Sequence, residues 1–245
     1  MEVHAHTHTP RKKWTHYLWE FLMLFLAVFC GFLAENQREH MVEHRREKQY
    51  MISLVEDLQN DTAELKKEIL TADSVVQYAD STVLFLSSYK PSGEVPARIS
   101  RIIRTGGARL SLIYTDRTSS QLKNSGAMRL IRKKNVADTI LQYWKQIDET
   151  NIQLDRYRIY RDAGREVLFK LWVIPSVYNV TLGPKGDSVQ QLRVIDQDPK
   201  KWDELTNLIS ISSAVCRNSI LVNLNKQYML ATNLILLIKK EYHLE

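Results

Sequence analysis

His40-Met41-Val42-Glu43-His44 sets two imidazoles four residues apart with a glutamate beside the second. This is the H-x-x-E-H order of the inverted zinc proteases. On a helix the two histidines share one face at the spacing two zinc ligands need. Glu43 would then activate a metal-bound water, so a zinc-dependent hydrolase built here would use His40, Glu43 and His44. The flanks argue for a bland surface instead: Glu35-Asn36-Gln37-Arg38-Glu39 and Arg45-Arg46-Glu47-Lys48 are heavily charged, with no pocket-forming sequence around them. His4, His6 and His8 alternate near the N-terminus, and an extended tail would present all three to a divalent ion. The expectation for both groups is adventitious metal binding at most, with no resident cofactor.

Other catalytic patterns are absent from the sequence. It contains no G-x-S-x-G, no C-x-x-C and no glycine-rich phosphate loop beyond the isolated Gly106-Gly107. Cys30 and Cys216 stand far apart in chemically different surroundings, so no internal disulfide is expected. The chain is expected not to be an enzyme.

Charge is divided sharply along the chain. Residues 35–97 carry seven Lys/Arg against twelve Asp/Glu, whereas residues 98–134 carry ten Lys/Arg against Asp116 alone. Arg98, Arg101, Arg104, Arg132, Lys133 and Lys134 are therefore candidates for binding an acidic ligand or anionic lipid. The competing reading pairs them with the acidic helix before them. No nucleic-acid motif accompanies them, and no nucleic acid is expected as a partner.

Residues 17–34 fix where such groups would sit. Tyr17 to Ala34 is apolar apart from Glu20 and Gly31, about the length a helix needs to cross a bilayer. Arg11, Lys12 and Lys13 precede it, and Trp14, Tyr17 and Trp19 occupy the place of an interfacial aromatic belt. Phe32, two residues before Ala34, is too bulky for a signal-peptide cleavage site, so the segment reads as an uncleaved anchor. Glu20, ionisable within the span, is a candidate membrane or partner residue. Ala27, Gly31 and Ala34 set small residues near one face, where a second helix would approach closely. A short basic head normally stays in the cytoplasm, which places the main domain in a bacterial periplasm.

The pattern predicts a mainly α protein. A disordered His-rich and basic head covers residues 1–13, a transmembrane helix 14–34, a charged helical stalk 35–50 and an elongated antiparallel helical bundle 51–245. No proline separates Pro10 from Pro91, so one helix is expected to continue from span to stalk. From Met51 the seam Val55, Leu58, Thr62, Leu65, Ile69, Ala72, Val76, Ala79, Val83 and Leu86 alternates by three and four. A second helical stretch is expected from near Pro96, pausing at Gly106-Gly107 and resuming after Asp116, Thr118 or Ser119, residue types that cap helices. A third helix runs from Val136 to Leu171, its seam interrupted by Arg161. Residues 175–199 suggest a small β-hairpin, with Val177–Leu182 and Val189–Ile195 as its strands. After Asp198-Pro199 a last helix turns Trp202, Leu205, Leu208, Ile209, Ser212, Val215, Ser219, Val222, Met229 and Leu236 inward.

Two segments carry a resemblance. Trp19 to Leu26, continuing through Ala34-Glu35-Asn36 to Tyr50-Met51-Ile52-Ser53-Leu54-Val55-Glu56-Asp57-Leu58, is one; Leu122 to Ile131 with Ile140-Leu141-Gln142-Tyr143 is the other. Both resemble a family of small bacterial single-pass membrane proteins of unassigned function. The resemblance covers about a third of the chain and implies an anchor and a helical extramembrane domain, with no catalytic residue to transfer.

The leading expectation is thus a membrane-anchored helical interaction or scaffold protein, self-associating or bound to another membrane protein. A periplasmic ligand-sensing bundle that signals through a partner is the alternative.

Overall fold

The computed structural model describes residues 13–91, 94–96, 108–172 and 191–244. The chain forms two compact units, Met1–Gln49 and Tyr50–Glu245. The fold is mainly α.

Helix α1 spans Trp14–Ser88. In the first unit its residues from Trp14 to Met41 are all exposed. The apolar stretch is exposed around its whole circumference, and Phe21, Phe25 and Phe29 stack one turn apart with centroids 6.3 and 5.8 Å apart. None of its most apolar stretch is buried. This part of α1 is long and apolar enough to cross a membrane.

In the second unit α1 contributes one seam to the core. Met51, Val55, Leu58, Leu65, Ala72, Val76, Ala79 and Leu86 are all buried, following the three-four alternation. The helix stops at Ser88, just before Lys90-Pro91. Strand β1, Glu94–Pro96, follows. Residues 108–116 are irregular, and α2 is a short helix, Arg117–Asn124. The expected second long helix is therefore replaced, among the described residues, by an irregular segment and two turns of helix. Gly126 then adopts φ +67°, a left-handed conformation that glycine adopts without steric penalty. A 3₁₀ turn, Ala127–Leu130, leads to α3, Lys134–Leu171.

Strand β2, Gln191–Arg193, pairs antiparallel with β1, with Val95 opposite Leu192. The predicted return strand therefore finds its partner before α2. The other predicted strand, Val177–Leu182, lies outside the described residues. Helix α4, Pro199–Val215, starts as expected: Asp198 accepts a 3.0 Å hydrogen bond from the Lys200 amide, and Pro199 opens the first turn. A π-helical turn, Cys216–Ile220, joins α4 to α5, Leu221–Tyr242. Pro199–Tyr242 is also apolar enough to span a bilayer, but a third of its most apolar window is buried.

Three core clusters fix the helix directions. Leu54 and Leu58 pack with Ile140 and Tyr143 and with Leu234 and Ile238. Leu65 and Val76 pack with Leu154 and Tyr157 and with Val215 and Leu224. Leu86 packs with Val167 and Leu171 and with Trp202 and Leu205. Residue numbers rise together in α1 and α3 and fall in α4–α5. Hence α1 and α3 run in the same direction, and the C-terminal helices are antiparallel to both. Each fully buried aliphatic side chain stabilises this arrangement by roughly 1.5–3 kcal/mol.

The π turn corrects one expectation. Val222, Met229 and Leu236 are 58–62% exposed, and the buried row is instead Cys216, Ile220, Leu224, Ala231, Leu234 and Ile238. One extra residue in the turn rotates the apolar face of α5 by about 100°, so a heptad carried through from Val215 lands on the outside.

Candidate functional site

His40 and His44 lie on exposed α1, each against a glutamate three residues on. His40 Nδ1 is 3.7 Å from Glu43 and His44 Nδ1 is 3.4 Å from Glu47, which is buried. No group of three or more potential metal ligands gathers among the described residues. Glu20 lies 3.3 Å from His16, one turn earlier. Ala27 and Ala34 are exposed, and nothing stands within 4 Å of where a Cβ on Gly31 would lie. Lys133 pairs with Glu241 at 3.3 Å rather than with the acidic part of α1. Lys134 opens α3 and, like Arg132, is exposed. His4, His6, His8, Arg98, Arg101 and Arg104 lie outside the described residues.

The structure assembles a different set of polar groups. Asp57, Asp61 and Glu68 are spaced four and seven residues apart, which puts them on one face of α1. Each accepts a backbone N–H from the segment 108–118, which runs against the direction of α1. Ser111 donates to Glu68 at 2.7 Å, Thr115 to Asp61 at 2.6 Å and Thr118 to Asp57 at 2.9 Å. Arg117 closes the row with a 2.8 Å bond to Asp57. At the far end the Tyr157 hydroxyl donates to the Ala108 carbonyl at 2.8 Å, and Leu110 is wholly buried beneath the segment.

This row supplies the cap of α2. Asp116 occupies the N-cap position but makes no side-chain cap hydrogen bond. Asp57, distant in sequence, satisfies the Thr118 amide in its place. Asp61 also accepts a 2.7 Å bond from the Tyr143 hydroxyl of α3. Burial raises the carboxyls of Asp61 and Glu68 above the ordinary range, and the hydrogen bonds from Tyr143, Thr115 and Ser111 offset this only in part. Burial likewise raises the Tyr143 phenol, with the Asp61 charge adding to it. Cys216 is buried, its thiol pushed up to about 12, which makes it a poor nucleophile.

A second polar chain crosses from α3 to α5. Thr150 donates to the Gln227 amide oxygen at 2.9 Å, and Gln146 donates to Asn223 at 2.8 Å. Each of these carboxylates and amides takes part in a hydrogen bond that holds two elements together.

Among the described residues, a groove of about 490 Å³ lies between α1 and the α4–π-turn segment. Residues 80, 83, 84 and 87 form one wall and residues 210, 213, 214, 217 and 218 the other. Because the helices are antiparallel, the groove has distinct ends. Asp80 and Arg217 form an ion pair at one end, with Ser213 donating to Asp80 at 3.1 Å. Val83, Leu84 and Ala214 make an apolar middle, and Ser87 and Ser210 lie at the other end. Arg217 belongs to the π turn, which sets it and Asn218 on the wall.

No protein-family model matches the chain, and no curated protein or solved structure is significantly similar to it. No local motif marks this groove, because its charged residues lie more than a hundred positions apart. The local signal is the three-four spacing of the small and hydroxyl residues Ser210, Ser213 and Ala214, with Arg217 following.

Proposed function

We propose that this protein is a membrane-anchored helical interaction protein of the bacterial inner membrane, with no catalytic activity of its own. Its N-terminus lies in the cytoplasm, the span covers residues 14–34, and the helical domain lies in the periplasm, where it self-associates or binds another membrane protein. One observation carries this reading: a helix exposed on every side from Trp14 to Leu33 bears almost wholly apolar residues, a surface that water disfavours and lipid tails accept. The engagement of Asp57, Asp61 and Glu68 by protein donors supports a structural role for the buried carboxylates.

Alkaline carbonate extraction of membranes from cells expressing the full chain tests the anchor. The chain is expected in the pellet, and Leu26→Arg in mid-span is expected to move a substantial fraction to the supernatant. Recovery of the intact wild-type chain as soluble protein without detergent would refute the reading.

The groove at Asp80 and Arg217 favours a second reading, a ligand-sensing bundle that signals through a partner.

A further inference from the structure

We propose that the groove between α1 and α4 binds a small zwitterion bearing an aliphatic side chain, of the free amino-acid class. The inference rests on the ligand-sensing reading and goes beyond it by assigning the ligand's chemistry. Three features of the groove define that chemistry: its charged end, its apolar middle and its length.

Asp80 and Arg217 present one negative and one positive group side by side. A plain anion would meet the Arg217 guanidinium but be repelled by Asp80, and a plain cation would face the converse. A molecule with a carboxylate and an ammonium on the same carbon satisfies both, the carboxylate on the guanidinium fork and the ammonium on Asp80. The Asp80–Arg217 pair is about half exposed, and pairs of that kind are weak in water, so a ligand that replaces both partners can open it. Ser213 already donates to Asp80 and holds its carboxylate in place.

Beyond the charges, half-buried Val83 and exposed Ala214 line the groove, and Leu84 is 76% exposed beside them. This apolar stretch suits an aliphatic side chain. Residues 80 to 87 span seven helical steps, about 10 Å, which accommodates one amino acid rather than a peptide. The π turn places Arg217 on this wall, and such turns recur at functional sites.

Isothermal titration of the detergent-solubilised full chain distinguishes the alternatives. The probes are leucine, glycine, N-acetyl-leucine (no ammonium) and isoamylamine (no carboxylate). Leucine is expected to give saturable heat, with the other three at least about tenfold weaker. Arg217→Ala and Asp80→Asn are each expected to weaken leucine at least about tenfold. Leu84→Ser is expected to weaken leucine while leaving glycine unchanged. An unaltered thermal midpoint in these surface variants establishes that they fold. Equal binding of N-acetyl-leucine or isoamylamine would overturn the zwitterion assignment while leaving a sensing groove. No saturable heat from any probe, or leucine binding unchanged in Arg217→Ala, would overturn the groove as the site.

Discussion

The Tyr143 hydroxyl donates a 2.7 Å hydrogen bond to Asp61, and both side chains are buried. The bond joins α3 to the same carboxylate that holds the Thr115 amide, so a single side chain fixes three parts of the domain. Tyr143→Phe leaves one oxygen of a buried carboxylate without its donor. It is expected to destabilise the domain by about 1–3 kcal/mol in denaturant unfolding. A change below about 0.5 kcal/mol would mean the hydroxyl contributes nothing beyond what water supplies.

The same carboxylate gives stability a pH dependence of defined sign. Asp61 and Glu68 hold a proton more tightly folded than unfolded, because burial disfavours their charged forms. Their contribution is therefore complete below the ordinary carboxylate range and is lost as pH rises through the raised folded values. The thermal midpoint of the wild type is expected to fall over this window by more than that of Asp61→Asn, which carries no charge at any pH. Parallel curves for the two proteins would contradict the assignment.

The rotated face of α5 separates neighbouring residues. Leu224 is wholly buried, whereas Val222, two positions earlier, is 58% exposed. Leu224→Ala is expected to cost about 2–5 kcal/mol, and Val222→Ala less than about 0.5 kcal/mol. The reverse order in urea unfolding would restore the uninterrupted heptad and exclude the π turn.

Gly164 offers a stabilising change. It is buried within α3, yet a Cβ there would meet Leu208 Cβ at 3.6 Å, an ordinary contact distance. Gly164→Ala is expected to add about 0.5–1 kcal/mol through helix propensity alone. A loss of stability would indicate closer α3–α4 packing than this distance implies.

The seams of α1 and α3 were legible because nothing interrupts their spacing. Arg161 is a mild exception: it pairs with Asp162, and its guanidinium lies 5.9 Å from the Tyr157 ring, so it stays on the seam with little exposure. The last helix was legible only as far as Val215, since a one-residue insertion leaves no mark on composition. The row Asp57, Asp61 and Glu68 was hidden for a different reason. The partner that all three share is a backbone amide, which every residue but proline carries, so no side-chain pattern marks the row. The groove depends on two helices that meet only after the whole chain has folded back.

The shared direction of α1 and α3 also bears on synthesis. All three core clusters contain residues from beyond Trp202, and Met51–Leu58, near the start of the domain, waits for Ala231–Tyr242 at its end. A nascent chain emerging from the ribosome therefore has no early subset of helices that can close over its own oily side chains. Until Ala231–Tyr242 has been made, those seams remain open to chaperones and to neighbouring nascent chains.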